Sequence, residues 1–287
     1  MSGHVVQMRY EESSYTGYDG MQMFMSVWTP DDERPRALMV AIHGLGSHGS
    51  ALTNVGVYLS ERGIAVFAPD MRGFGHYSGL KGHVMNFDEY IEDIDSVVTQ
   101  VKMMHPSKLT FLFGHSLGGL EAIRYVTTYP GDVDGLILSC PAVSEHVEIG
   151  KATRVAGSFL SLLNIKRYFG WPTQFQYASH DPDVVQEHEN DVLRFDKVTP
   201  RLGMSALKAT RKAFESASGI VLPVLVQQAG DDVFVIPEKT KLFFDSIGGC
   251  DKSWKLYEGL YHELHNENAR EQVLGDMYAW LEKRLTG

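Results

Sequence analysis

Cysteine is scarce in this sequence. The two cysteines, Cys140 and Cys250, lie far apart along the chain and in no spacing typical of a metal or redox site. Such a pair excludes a disulfide framework and a cysteine-ligated zinc module. We therefore expect free thiols with packing roles, and a reducing compartment such as the cytoplasm.

Long apolar runs are also absent. No stretch approaches the roughly 20 consecutive apolar residues that a membrane-spanning helix needs. The N-terminal region carries charged side chains at Arg9, Glu11, Glu12 and Asp19 and has no continuous apolar segment. We therefore expect neither a membrane span nor a signal peptide.

Basic residues are outnumbered by acidic ones. The chain has 26 lysines and arginines against 36 aspartates and glutamates, which gives a formal net charge of −10. Without a basic stripe to neutralise phosphates, nucleic acid is excluded as a partner. The remaining class is a globular protein, because 287 residues, 44% of them hydrophobic, suffice for one large domain or for a core with an inserted subdomain.

Short apolar segments alternate with helical periodicity in the first half of the chain. Apolar runs bounded by turns predict buried strands, and apolar residues at spacings of three and four predict amphipathic helices. This alternation predicts an α/β fold with a mostly parallel sheet flanked by helices, and ligands bound beyond the carboxyl ends of its strands. The predicted strands span 23–28, 37–42, 64–70, 109–113 and 133–139, with helices near 55–62, 87–104 and 120–126.

The alternation stops at about residue 145 and resumes after residue 217. Between these points the sequence has an apolar helical stretch at 155–163, a polar run at 180–190 and a second helical stretch at 202–214. We interpret 145–217 as a mostly helical cap inserted into a core formed by 1–144 and 218–287. In the second part of the core, the sequence predicts strands at 221–228 and 254–257 and a last helix at 268–284.

The motif Gly114-His115-Ser116-Leu117-Gly118 stands between a predicted buried strand and a predicted helix. At such a junction the serine occupies a strained turn, while the flanking glycines let strand and helix approach closely. An oxyanion forming there would meet free N–H groups at the helix N-terminus. The alternative is an ordinary glycine turn in which Ser116 caps the helix.

A serine hydroxyl needs a base and an orienting acid to become a nucleophile. Asp231 and Asp232 follow the predicted strand 221–228, while His262 and His265 follow the strand 254–257, and the order serine, aspartate, histidine suits this architecture. The residues alone do not decide which of the two aspartates is the acid. The histidine spacing does not match the His-Glu-x-x-His zinc motif, so we expect no metal.

The glycine-rich segment His43-Gly44-Leu45-Gly46 follows another predicted strand. Its competing interpretation is a phosphate cradle. However, the segment has neither the Gly-Lys-Ser/Thr of a P-loop nor a full Gly-x-Gly-x-x-Gly fingerprint. The sequence therefore predicts no nucleotide cofactor.

Together these motifs resemble the α/β-hydrolase superfamily, and within it the chain is similar to monoacylglycerol lipases and lysophospholipase-like enzymes. The resemblance covers nearly the whole chain. It departs from the family at Gly73-Phe74-Gly75-His76-Tyr77, where Gly-His-Gly-x-Ser is common. The matching stretches are 43–46, 69–75, 82–84 with Phe87 and Tyr90, 114–119, 229–233 with Pro237 and Glu238, and 257–264.

The resemblance implies a role for each of five residues. Ser116 is the nucleophile, His262 is the base, and the position of Pro237-Glu238 favours Asp232 over Asp231 as the acid. The backbone N–H groups of Leu45 and Leu117 form the oxyanion hole. The implied activity is hydrolysis of monoacylglycerols or similar single-chain lipid esters through an acyl-enzyme, without cofactor or metal.

Two alternatives to the lipase interpretation remain. One is an esterase or another serine hydrolase, such as a lysophospholipase, thioesterase or peptidase-like enzyme, acting on small or xenobiotic substrates. The other is a non-catalytic binding protein, because a fold does not fix a function. The helix at 155–163 could line an acyl tunnel, touch a membrane surface peripherally or pack on the core. The sequence leaves acyl-chain length, leaving alcohol and oligomeric state open.

Overall fold

A computed structural model describes residues 7–31, 34–144, 151–170 and 174–286. Its strands and helices alternate along the chain as the apolar segments predict. The strands are β1 Met8–Thr16, β2 Gln22–Pro30, β3 Ala37–Ile42, β4 Ile64–Pro69, β5 Thr110–His115, β6 Gly135–Ser139, β7 Phe169–Gly170, β8 Lys197–Val198, β9 Val224–Ala229 and β10 Lys252–Tyr257. The helices are α1 Thr53–Ser60, α2 Asp88–Met104, α3 Leu117–Thr128, α4 Lys151–Leu162, α5 Pro182–Asn190, α6 Pro200–Ser216, α7 Pro237–Ser246 and α8 Arg270–Leu285.

Eight strands form one sheet in the order β1-β2-β4-β3-β5-β6-β9-β10. The pairs from β4 through to β10 are parallel, while β1 pairs with β2, and β2 with β4, in antiparallel fashion. The predicted fold class, a mostly parallel sheet flanked by helices, is therefore confirmed. The sequence did not predict β1, an edge strand whose side chains are mostly exposed.

The two faces of the sheet carry separate parts of the core. Along β3, Leu38, Val40 and Ile42 belong to the apolar cluster that includes α2 and α3. The intervening Ala37, Met39 and Ala41 belong to the cluster with α1 and α8. Every residue of β3 is buried, which explains why its sequence is continuously apolar rather than alternating.

The parallel strands bring four loops to the same edge of the sheet. The glycine loop (residues 43–49) follows β3, Ser116 follows β5, Asp231 and Asp232 follow β9, and the histidine loop (residues 258–265) follows β10. Because carboxyl ends of parallel strands meet at one edge, these distant sequence segments converge there. The fold thus brings together predicted site residues that lie far apart in the sequence.

The stretch between β6 and β9 is mostly helical where the structure describes it. It contains α4, α5 and α6, with a two-stranded antiparallel pair of β7 and β8. The sequence did not predict α5, which is polar and begins with Asp181 accepting a hydrogen bond from Asp183 N–H. Within the described residues, no helix combines the length and apolar character that crossing a bilayer requires.

Candidate active site

Ser116 lies at a sharp turn between β5 and α3. Its backbone has φ 53° and ψ −118°, in the left-handed region that non-glycine residues rarely adopt. Its N–H donates to the carbonyl of Ser139 at 3.0 Å, and its own carbonyl accepts from Ala142 N–H at 2.8 Å. Bonds to the last residue of β6 and to the chain just after it therefore hold the strained turn, which keeps the serine at the end of β5.

Glycines make the close approach at this turn sterically feasible. A Cβ added to Gly118 would lie 2.5 Å from the carbonyl oxygens of Ile42 and His43. A Cβ added to Gly114 would lie 2.4 Å from the carbonyl oxygen of Gly118. Since real Cβ contacts are not this short, α3 can begin directly against β3 and β5 only without side chains here.

Asp232 and His262 form a buried hydrogen-bonded pair. His262 Nδ1 lies 2.7 Å from Asp232 Oδ2, and both residues are almost fully buried. Asp231, by contrast, is exposed. The structure thus places Asp232, and not its neighbour, against the histidine.

The other polar contacts of Asp232 keep its carboxylate ionised. Its Oδ1 accepts from the N–H groups of Phe234 and Val235 at 2.8 and 2.9 Å, and its Oδ2 accepts from Gln228 Nε2 at 3.2 Å. Burial raises the pKa of Asp232, but His262 and the backbone N–H groups of Phe234 and Val235 together lower it by more. The pKa therefore lies below its ordinary value. A carboxylate in this state favours the His262 tautomer with its proton on Nδ1, which leaves Nε2 as the basic atom.

The glycine loop lies directly against the serine. A Cβ built on Gly44 would be 3.1 Å from Ser116 Cβ, so the following Leu45 is brought beside the turn. His43 fixes the start of this loop, since its Nδ1 bonds the Gly44 carbonyl at 2.8 Å and its Nε2 accepts from Met71 N–H at 2.9 Å. Burial lowers the pKa of His43 to about 4, which keeps this two-ended link neutral.

Asp70 fastens the same loop to the segment after β4. Its Oδ1 accepts from Gly49 N–H at 2.7 Å, and its Oδ2 accepts from His76 N–H at 2.7 Å. His76 Nδ1 also lies 2.8 Å from that oxygen. Residues 73–77, where the sequence departs from the family motif, are thus held to Asp70 by the backbone and the side chain of His76.

His265, the second candidate base, is buried beside the end of β5. Its ring packs edge-on against Phe113 and His115, with centroid distances of 6.4 and 4.9 Å. Burial lowers its pKa to about 4, so it is neutral at neutral pH. The geometry therefore favours His262 over His265 as the partner of the aspartate.

Cys140 is a neighbour of the pair that sequence reasoning missed. Its Sγ, Asp232 and His262 have donor atoms within 4.8 Å of one another. Burial raises the pKa of the Cys140 thiol well above its ordinary value. No signal in the sequence connects Cys140 with residues so far along the chain.

The known proteins to which this chain is similar are hydrolases. Residues 33–269 match the Hydrolase_4 family, described as serine aminopeptidase, S33. A monoacylglycerol lipase from Mycolicibacterium smegmatis is 28% identical, with 98% of this chain and all of that protein aligned. Phospholipase YtpA from Bacillus subtilis is 31% identical over 86% of this chain and 95% of its own length.

Among solved structures, a monoacylglycerol lipase from Paleococcus ferrophilus superposes with a TM-score of 0.80 at 27% identity. That match covers 95% of this chain and 98% of the other. The resemblance inferred from the motifs is thus confirmed over almost the full length. The chain belongs to the Hydrolase_4 family and is an α/β-hydrolase of the monoacylglycerol lipase-like type.

Proposed function

We infer that the chain is a carboxylic ester hydrolase, and we propose that it cleaves monoacylglycerols or similar single-chain lipid esters. The observation that carries the reaction is the convergence of the Ser116 turn, the buried Asp232–His262 pair and the glycine loop at one edge of the sheet. The substrate class is supported by the monoacylglycerol lipases among the relatives.

In the proposed mechanism, His262 Nε2 takes the proton of Ser116 as its oxygen attacks the ester carbonyl. The Leu45 and Leu117 N–H groups donate to the resulting oxyanion, and Leu117 is the first residue of α3, where N–H groups have no partner within the helix. Collapse of the intermediate expels the alcohol, which receives the proton from His262. Water then attacks the acyl-enzyme by the same route and releases the carboxylic acid.

Residues 145–217 act in this proposal as the cap that selects substrates. On α4 and just after it, the apolar side chains of Val155, Phe159, Leu162 and Leu163 are between 54% and 75% exposed. An exposed apolar helix suits contact with a lipid aggregate or a membrane surface, from which a single-chain ester enters. We also propose that the protein is cytoplasmic and contacts membranes peripherally. Its two cysteines are free thiols, which suits a reducing compartment.

The test is a series of initial rates. Monoacylglycerols from short to long chains are compared with lysophospholipid, 4-nitrophenyl butyrate and an aminoacyl amide, with Ser116→Ala as the blank. A preference for medium or long monoacylglycerols that Ser116→Ala abolishes would support the proposal. If only the short activated ester were hydrolysed, the protein would be an esterase and the lipid substrate would be refuted. Preferred cleavage of the amide would indicate a peptidase.

A further inference from the structure

One segment outside the proposed triad contacts both loops that flank Ser116. Residues 188–195, here called the bridging segment, run from the last turn of α5 toward β8. They touch the glycine loop through Asp191 and Phe195, and the histidine loop through His188 and Arg194. No feature of the sequence pattern predicts these contacts, because they join segments that are distant along the chain.

The contact with the glycine loop has a side-chain part and a backbone part. Asp191 Oδ2 lies 2.6 Å from Nε2 of the buried His48. Phe195 N–H donates to the carbonyl of Gly46 at 2.9 Å, and a Cβ on Gly46 would lie 2.9 Å from the Phe195 carbonyl oxygen. Gly46 also has φ +76°, so this close approach depends on glycine.

The contact with the histidine loop is made by the residue that follows His262. Glu263 Oε2 lies 2.7 Å from His188 Nε2, and it also accepts from Asn266 Nδ2 at 2.7 Å. Its other oxygen lies 3.6 Å from an Arg194 guanidinium nitrogen. Burial raises the pKa of Glu263, but Arg194 and His188 lower it more, so the pKa lies well below its ordinary value and the carboxylate is ionised.

Arg194 connects the two contacts. Its Nη2 lies 3.0 Å from His188 Nε2, its Nε forms an ion pair with Asp191 Oδ2 at the longer distance of 3.9 Å, and its side chain is 10% exposed. The guanidinium therefore stands between one carboxylate bonded to the glycine loop and another that belongs to the histidine loop. Charges paired in so little water hold their geometry more strictly than surface pairs, and removing one partner leaves the others uncompensated.

We propose that Arg194 is a positioning residue, which pairs with Asp191 and Glu263 and so fixes the glycine loop and the histidine loop relative to each other around Ser116. The inference rests on the proposed function, since it takes these loops to supply the oxyanion hole and the base. Arg194 acts through its partners rather than on the substrate. A misplacement of about 1 Å in such groups can cost about 100-fold in rate.

The experiment compares Arg194→Met, the double variant Arg194→Met with Glu263→Gln, and Arg211→Met as the matched control. Arg211 also lies in the inserted segment and pairs with Glu215, but its side chain is 80% exposed. Each variant is treated with a fluorophosphonate, which bonds phosphorus to Ser116 Oγ as fluoride leaves and the hydroxyl proton passes to His262. The labelling rate, the unfolding midpoint, and kcat and KM for 4-nitrophenyl butyrate are measured.

We expect Arg194→Met to label about 10- to 100-fold more slowly than the control, with kcat reduced and KM within about twofold. The double variant also removes the charge of Glu263, and Asp191 keeps its contact with His48, so the unfolding midpoint should recover toward that of the wild type. Its labelling should nevertheless stay slow, because the loops remain uncoupled. This separation of stability from labelling is what a merely structural arginine would not produce.

Two results would overturn the inference. One is labelling of Arg194→Met at the rate of Arg211→Met. The other is a double variant that regains both stability and labelling, which would mean that Arg194 only neutralises Glu263. Failure of the wild type to be labelled would instead refute the proposed function and the inference with it, whereas normal labelling without lipid hydrolysis would refute only the lipid substrate.

Discussion

Two adjacent aspartates show where residue-level reasoning reaches its limit. The sequence places Asp231 and Asp232 after the correct strand, but nothing in the two residues themselves separates them, and only the resemblance to a family favoured Asp232. The structure separates them by orientation, because the N–H groups of Phe234 and Val235 turn Asp232 inward while Asp231 is exposed. Side-chain direction in a loop depends on such backbone bonds, which composition does not reveal.

This difference predicts unequal effects of the same substitution. Asp232→Asn should lower kcat by about 10⁴-fold, because the amide stabilises the wrong tautomer of His262. Asp231→Asn removes an exposed carboxylate next to it and should leave kcat within about twofold. Steady-state kinetics on 4-nitrophenyl butyrate measures both, and equal losses in the two variants would contradict the assignment of Asp232.

Buried histidines predict a loss of stability in acid. His43 and His265 have pKa values lowered to about 4 by burial, against 6.5 in an unfolded chain. Between these values the unfolded state binds the additional protons, so the free energy of unfolding falls as the pH falls from 6.5 to 4. The loss is on the order of 3 kcal/mol per histidine at the lower limit.

Urea unfolding at pH 7, 5.5 and 4.5 measures this dependence. In His265→Leu the loss between pH 6.5 and 4 should be smaller, because one of the two histidines that resist protonation is gone. If the free energy of unfolding fell as much with pH in His265→Leu as in the wild type, His265 would not contribute to the acid sensitivity.

At the scale of elements, the buried strands were the most predictable and the polar elements the least. β3 was predicted with the bounds that the structure has, since burial on both faces makes its sequence continuously apolar. β1 and α5 were missed because neither shows the apolar periodicity of a buried element: β1 is held mainly by pairing with β2, and α5 is largely polar. For α5, the Asp181-Pro182 start was a readable capping signal.

The junction of β5 and α3 predicts a steric effect. Gly118→Ala places a Cβ 2.5 Å from two carbonyl oxygens at the end of β3, so α3 must shift away from the sheet. We expect a loss of about 1–3 kcal/mol in the free energy of unfolding and a marked loss of activity. Gly203→Ala in α6 is the control, because nothing lies within 4 Å of its added Cβ and alanine favours the helix by about 0.5–1 kcal/mol.

Urea unfolding and ester kinetics of the two alanine variants provide the measurement. If Gly118→Ala were as stable and as active as Gly203→Ala, the close packing of α3 against β3 would not matter for the site.

At the scale of the whole molecule, the sequence predicted which segments form the core, and the comparisons confirm the fold and the family. It did not predict how residues 145–217 meet the site. Contacts such as His188 with Glu263, or Asp191 with His48, depend on the path of a long insertion, and no local pattern in the chain encodes that path. The division into core and cap remains a prediction.

The exposed apolar helix predicts a selective effect on aggregated substrates. Phe159 and Leu162 are 60% and 75% exposed. Replacing both with serine should weaken adsorption to lipid vesicles and lower the rate on long-chain monoacylglycerol several-fold, with the rate on dissolved 4-nitrophenyl butyrate unchanged. Val221→Ser is the control, because Val221 is also exposed, at 72%, but lies just before β9, outside the inserted segment 145–217.

Vesicle co-sedimentation and the ratio of the two rates measure this effect. Equal losses on both substrates would point to a packing role for the helix, and unchanged adsorption would remove the proposed lipid contact.

The charged outer strands of the sheet bear on how the protein behaves at high concentration. β1 presents Arg9, Glu11 and Glu12 to solvent, and the opposite outer strand, β10, carries the exposed Lys255. Charges along an unpaired strand oppose the addition of a strand from another chain, since their hydration would be lost. At high concentration these charges therefore oppose edge-to-edge pairing of two copies of the sheet.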